Sequence, residues 1–309
     1  MRILLATDGS EQSKAAVNEI AARPFPTDTS IRIVSAYERT SLLTRVEPMG
    51  VSEEFYARAD HDALKAAEDA TENAANILRQ KKPTLTVTTI ATDGSPKSVI
   101  LDEAKAFRAD LIVVGSHGYG MVERFWIGSV SHAVALYATC SVEIVRGARQ
   151  KEEAWKILLA IDGSSQSDAA VEEIARQPFP EGSQLYVISV ADLPYLPLAY
   201  PGDGPDMNVY GEIEKSYFQR ATTAAENAAV QLRAGPESSK LNITTSVPSG
   251  SPKEVILEEA ETFGADLIVV GSHGYGAVEG FLLGSVSQAV ALHAKCSVEI
   301  VRGPKTQEE

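Results

Sequence analysis

The chain states one segment twice. ADLIVVGSHGYG stands at residues 109–120 and returns unchanged at 265–276; carried on to Gly147 and Gly303, the copies agree at 32 of 39 positions. Each copy also opens on a matched block, 1–26 against 155–180, identical at 18 of 26 positions. The 309-residue chain is therefore a tandem duplication of a unit of about 150 residues, a usual size for one domain. Domains are expected at 1–147 and 155–303, joined by the short charged stretch 148–154. A site in one copy has a counterpart in the other unless one copy has drifted.

Within each copy, apolar strand-like runs alternate with longer amphipathic stretches. In the first, Ile3–Ala6, Ile31–Tyr37, Leu85–Ala91, Leu111–Val114 and Val142–Val145 read as strands. Helices are expected from about Ser10, over Glu53–Gln80 with Lys81-Lys82-Pro83 as its stop, from Ser95-Pro96, and over Ser129–Ala138. Ser95 is placed as N-cap, with Pro96 at the first helical position. The run Leu111-Ile112-Val113-Val114 has the uninterrupted apolar character of a strand buried on both faces. Strands alternating with helices specify an α/β fold, a parallel sheet with right-handed crossovers and helices on both faces. The copies diverge most after the second strand, where 38–51 faces the proline- and glycine-rich run 194–205, read as a long irregular loop.

Bulk properties narrow the function. The net charge of −14 argues against nucleic acid, whose binding depends on neutralising phosphates with cations. It is unevenly shared, −2 over residues 1–150 and −12 over 151–309. No apolar run approaches the roughly 18 residues of a membrane helix. The start, Met1 to Gly9, meets an aspartate and a glycine too early for a secretory leader and reads as the first strand. Cys140 and Cys296, at equivalent positions, form no disulfide framework and are expected as buried reduced thiols of a cytoplasmic protein.

The chemistry concentrates at two places per copy. Gly115 and Gly118 follow the fourth strand, and Gly128-Ser129 open a helix; the second copy repeats this as Gly271, Gly274, Gly284 and Ser285. Glycines let backbone approach a ligand closely, and a helix N-terminus offers unpaired N–H groups at the positive end of its dipole. The pattern suits phosphate. Asp8 and Asp162 each end a first strand and precede Gly-Ser. Two readings of them compete: bonding ribose hydroxyls or a phosphate-bound Mg²⁺, or closing an Asx turn that caps the next helix. Open α/β sheets bind ligands beyond the carboxyl ends of their strands, which would bring Asp8 beside Gly115. No G-x-x-x-x-G-K-[ST] is present, so this is not a P-loop protein.

This arrangement resembles the ATP-binding branch of the universal stress protein family, which is recognised by G-x2-G-x9-G-[ST]. Gly115, Gly118, Gly128 and Ser129 match it in full, as do Gly271, Gly274, Gly284 and Ser285. The first-strand aspartates and the turns Gly94-Ser95-Pro96 and Gly250-Ser251-Pro252 match as well. The resemblance spans nearly the whole chain. It implies two five-stranded, Rossmann-like parallel sheets of order 3-2-1-4-5, with adenine against the edge of strand two and phosphates on the glycine frame. The implied binding residues are Ala6, Thr7, Asp8, Val34, Ala36, Val114, Gly115, Gly118, Arg124, Gly128, Ser129 and Val130 in the first copy. In the second they are Ile161, Asp162, Val190, Val270, Gly271, Gly274, Gly284, Ser285 and Val286. ATP, ADP or AMP is the expected ligand. Mg²⁺ enters through the nucleotide, near Asp8 and Asp162 and without a direct protein ligand.

The family often dimerises through its last strands, so Ser141–Arg146 and Ser297–Arg302 are expected to pair within the chain, with a homodimer as a further option. The second copy departs from the pattern: Arg124, a basic residue four positions before the helix-opening glycine, becomes Gly280, and Trp126 becomes Leu282. Triphosphate is therefore expected to bind more tightly in the first copy. Of the five histidines, His117 and His273 lie inside the glycine turn, where contact with phosphate and plain solvent exposure are the two readings and exposure is the default; His61, His132 and His293 lie in helical stretches. No metal-ligand spacing and no nucleophile–base set can be assembled. The expected function is a cytoplasmic adenine-nucleotide-binding stress or signalling protein with an unidentified protein partner. The alternatives are slow ATP hydrolysis, or an interaction module with one or both sites inactive.

Overall fold

A computed structural model describes residues 1–26, 28–39, 53–118, 127–147, 154–194, 207–274 and 283–303. The chain divides into two units: Met1–Glu152 together with Lys295–Glu299, and Glu153–Ala294 together with Ile300–Glu309. The expected junction at 148–154 and the loop at 194–205 lie almost wholly outside the described residues.

The first unit runs β1 (Arg2–Ala6), α1 (Glu11–Ala22), β2 (Ser30–Tyr37), α2 (Glu53–Lys81), β3 (Thr86–Asp93), α3 (Pro96–Phe107), β4 (Leu111–Gly115), α4 (Ser129–Tyr137) and β5 (Ser141–Val145). The strands lie parallel in the order 3-2-1-4-5. Register follows the apolar pattern, with Ile3 opposite Ile31 on one side and Leu111 on the other. Ile3 and Leu5 point to one face, where Val17 and Ile20 of α1 and Ala75 and Leu78 of α2 cover them. Leu4 and Ile112, a residue out of phase, are also wholly buried, on the opposite face. β4 is buried throughout, as its unbroken apolar run announces, and β5 is buried throughout as well, whereas β3 alternates toward solvent as an edge strand does.

The second unit repeats the plan: β6 (Lys156–Ile161), α5 (Ser165–Arg176), β7 (Gln184–Ser189), α6 (Met207–Ala234), β8 (Asn242–Ser246), α7 (Pro252–Phe263), β9 (Leu267–Gly271) and α8 (Ser285–His293), followed by β10 (Ser297–Val301), of which Ser297–Glu299 fall with the first unit and Ile300–Val301 with the second. Its order is β8-β7-β6-β9, with β10 beyond β9. Trp155, Ile157 and Leu159 form its core with Val171 and Ile174 of α5 and Leu232 of α6.

Caps explain most element boundaries. The Ser13 N–H donates to Ser10 Oγ (3.3 Å), and Ser167 does the same to Ser164 (3.3 Å), so both first helices start on a serine cap. Ser95 occupies the cap position before Pro96, but its side chain makes no capping bond, contrary to expectation. Gly94 supplies a φ of +137° for that turn, a conformation that side chains rarely adopt. α3 ends on Arg108 in the left-handed region (φ 51°), where α7 ends on Gly264 (φ 69°).

One buried cluster has no signature in local sequence. Arg23, just after α1, is fully buried within the first unit; its Nη1 lies 2.7 Å from Glu143 Oε2 and its Nη2 3.3 Å from Glu299 Oε2. Burial works against its charge, but the fields of Glu143, Glu299 and Glu19 together outweigh it and hold the guanidinium above its usual range. The second copy has Gln177 at this place. The two cysteines are partly exposed and not buried as their position before a strand predicts.

Candidate functional site

The site forms because four chain segments end at the same edge of a parallel sheet. In the second unit these are the ends of β6, β7 and β9 and the start of α8, and they enclose a cavity of about 300 Å³. That is at the small end of the range for small-molecule sites. All nine residues expected in this copy line it: Ile161, Asp162, Val190, Val270, Gly271, Gly274, Gly284, Ser285 and Val286. One side is apolar, with Ile188, Val190 and Ile256; the other carries Asp162, the glycines and the first turn of α8.

Of the two competing readings of Asp162, the structure shows the Asx turn. Asp162 Oδ1 accepts from the Ser164 N–H (3.0 Å), closing the turn, while its Oδ2 lies against Gly274. A Cβ on Gly274 would come within 2.5 Å of that oxygen. The helix α8 starts after Gly284, which supplies no side-chain cap, and Ser285, Val286 and Ser287, whose N–H groups belong to the first turn and have no intrahelical acceptor, line the cavity. Ser287 Oγ is committed to the Gly271 carbonyl (2.6 Å), which ties the helix to the end of β9. The Gly284 N–H donates to the Ser272 carbonyl (2.8 Å) and closes the frame.

The first unit repeats these contacts. The Ser10 N–H donates to Asp8 Oδ1 (2.9 Å), a Cβ on Gly118 would stand 2.6 Å from Asp8 Oδ2, and the Gly128 N–H reaches the Ser116 carbonyl (2.7 Å). Ser131 Oγ bonds the Gly115 carbonyl at 2.6 Å. Thr7 N–H donates to the Val34 carbonyl (2.9 Å), which places Ala6, Thr7 and Asp8 beside the C-terminal half of β2, where Ala36 also lies. Val114 and Gly115 end β4, and Ser129 and Val130 begin α4. Arg124, Trp126, Gly280 and Leu282 lie outside the described residues.

The glycines are not all present for a ligand's sake. A Cβ on Gly115 would meet the backbone carbon and oxygen of Gln12 at 2.8 Å, and one on Gly271 would meet the Gln166 carbonyl carbon at 2.8 Å. These two glycines admit the first turn of α1 and α5 onto the strand end. Gly118 and Gly274 make room for an aspartate, and a Cβ on Gly128 or Gly284 would stand 3.3 or 3.2 Å from a carbonyl oxygen of the preceding turn.

His117 is not solvent-exposed as expected: it is 8% exposed, with Nδ1 3.1 Å from Ser116 Oγ. Burial, and then the charge of Arg146, push its pKa down, so the ring is neutral near pH 7. His273 lines the second cavity. His61 and His293 are exposed on their helices, and among the described residues no group of three His, Cys, Asp or Glu side chains is placed to hold a metal.

Local sequence missed Asp192 and Arg220, which also line the cavity. Asp192 follows β7 in a segment without a motif. Arg220 lies on α6, and only the return of that helix over the strand ends brings it near.

Similarity to known proteins agrees with this architecture. The profile of the universal stress protein family matches twice, over residues 1–146 and 155–302. A universal stress protein of Mycolicibacterium smegmatis is 32% identical over 302 residues, covering 97% of this chain and 96% of its own. The universal stress protein YxiE of Bacillus subtilis is 35% identical over 151 residues, 47% of this chain but 98% of its own. The crystal structure of a universal stress protein from Archaeoglobus fulgidus superposes with a TM-score of 0.61 over 99% of this chain and 97% of that one, at 21% identity, and so shares the fold. With two matched domains in tandem and a full-length relative, this chain belongs to the universal stress protein family.

Proposed function

We propose that each domain binds an adenine nucleotide, ATP or its di- or monophosphate, and that the protein serves a cytoplasmic stress or signalling response through that occupancy. The observation that carries this reading is the second-domain cavity, where an apolar wall, a carboxylate and an uncapped helix N-terminus meet within about 300 Å³. Ile188, Val190 and Ile256 suit a base; the N–H groups of α8 suit phosphate oxygens. Mg²⁺ fits the same donor set, because Asp162 keeps one oxygen for its own turn and turns the other to the glycine frame. A bound Mg²⁺ would offset phosphate charge, while the aspartate orients it and the glycine turn keeps side chains clear.

Two measurements test this reading. Mass spectrometry of the small molecules released on denaturing the purified protein should identify an adenine nucleotide. Mg²⁺–ATP at 100 times its dissociation constant should add about 2.7 kcal/mol per site to stability. Asp8→Asn with Asp162→Asn keeps the amide oxygen for each Asx turn and removes only the charge, so it should reduce the Mg²⁺-dependent part of the shift without loss of fold. A chain that gains no stability from any adenine nucleotide, with or without Mg²⁺, refutes the proposal.

A further inference from the structure

We infer that Arg220, on α6, is the cation that the second domain offers to the phosphate groups of its ligand, in a copy that has Gly280 where the first has Arg124. The inference rests on the cavity being a nucleotide site.

Helix α6 follows β7 and runs back along the sheet, with Ala221, Ala225, Ala228, Ala229 and Leu232 buried at helical spacing. Its earlier half consequently stands over the carboxyl ends of the strands, where the cavity opens. Arg220 immediately precedes the first of these buried residues and is exposed. It lines the same cavity as Asp162, Gly274 and Ser285, and its guanidinium carbon lies 5.3 Å from the Tyr217 ring centre, a cation–π distance.

Charge makes the position informative. Among the described cavity-lining residues Asp162 and Asp192 bring two carboxylates, and Arg220 is the one lysine or arginine. A phosphorylated ligand entering without Arg220 would meet only negative side-chain charge. A guanidinium offers paired N–H donors that match phosphate oxygens.

The first copy shows the reciprocal pattern. Aligning Glu72-Asn73-Ala74-Ala75 with Glu226-Asn227-Ala228-Ala229 sets Arg220 opposite Ala66, just as Gly280 stands opposite Arg124. The two copies thus differ reciprocally, with Arg124 and Ala66 in the first against Gly280 and Arg220 in the second. The absence of an arginine at position 280 then does not by itself make the second site the weaker one.

The test is a titration of the full-length protein with ATP and with adenosine, followed by the amide resonances of Gly271, Gly274 and Gly284, which report the second site alone. Arg220→Ala should weaken ATP about fivefold to tenfold, the range for an exposed charge-assisted contact, and leave adenosine within about twofold. Arg220→Lys should fall between, and Arg220→Gln should match the alanine variant. Unchanged ATP affinity in Arg220→Ala and Arg220→Gln overturns the inference and spares the nucleotide reading. An equal loss for adenosine overturns it too, by showing lost packing rather than lost charge. If the wild-type resonances respond to neither ligand, both the inference and the reading beneath it fall.

Discussion

Replacing Arg23 by glutamine, the residue at the equivalent position 177, should be among the most destabilising single changes in the first unit. Arg23 and both its carboxylate partners, Glu143 and Glu299, have wholly buried side chains. A glutamine amide cannot reproduce two charge-assisted bonds, so two carboxylates would remain in the interior without a counter-charge. Breaking a buried ion pair from one side costs about 3–5 kcal/mol. For a unit of this size each kcal/mol is worth about 2–4 °C, giving a fall of about 6–20 °C in the melting of that unit. The reason is desolvation rather than the strength of the pair. The triple variant Arg23→Met, Glu143→Leu, Glu299→Leu should therefore recover the loss, since apolar replacement of a whole buried cluster is often neutral or stabilising by about 1–4 kcal/mol. Calorimetry and urea unfolding followed by circular dichroism resolve this, with each transition fitted separately because two units need not melt together. A loss below about 1 kcal/mol for Arg23→Gln would refute the reasoning, by showing that the two glutamates find other partners.

Three further outcomes follow from named contacts. Gly115→Ala should cost about 1–3 kcal/mol in protein free of nucleotide, because its Cβ would stand 2.8 Å from the Gln12 backbone; a neutral effect in thermal unfolding would show that α1 shifts freely. Gly264→Ala should cost about 1 kcal/mol at its φ of 69°, while Arg108→Gly should gain up to about 1 kcal/mol at φ 51°; opposite signs in paired melts would dismiss the left-handed cap as the cause. His117 has a folded pKa below its unfolded value near 6.5, so the folded state binds fewer protons. Its contribution is complete above about pH 6.5 and is lost as pH falls through the folded pKa, so the stability–pH curve of His117→Gln should be flatter in that acid window, and identical curves would remove His117 from the account.

The duplication, the strands and the glycine frame were legible because each is written locally: in a repeated string, in apolar runs, in a fixed spacing; the strand order came only from the family resemblance. Asp162 was legible only as two rival roles, of which the structure shows the Asx turn. Arg23 was not legible, because its meaning depends on Glu143, 120 residues away, and a lone arginine after a helix reads as solvated. Arg220 was hidden similarly: nothing in a helical stretch of 28 residues marks which position overhangs the strand ends. Ser95 shows the converse, a correct cap position whose hydroxyl goes unused.

The packing of Gly115 and Gly271 against the helix that follows the first strand bears on how such chains diverge. Selection to keep these glycines acts on folding itself, so it persists in a copy that has stopped binding anything. An intact glycine signature is then a record of shared architecture more than of activity. Loss of function should register first at side chains without a packing duty, such as the hydroxyl of Ser285 and the guanidinium of Arg220. Within a duplicated chain, each copy serves as the other's reference for reading that drift.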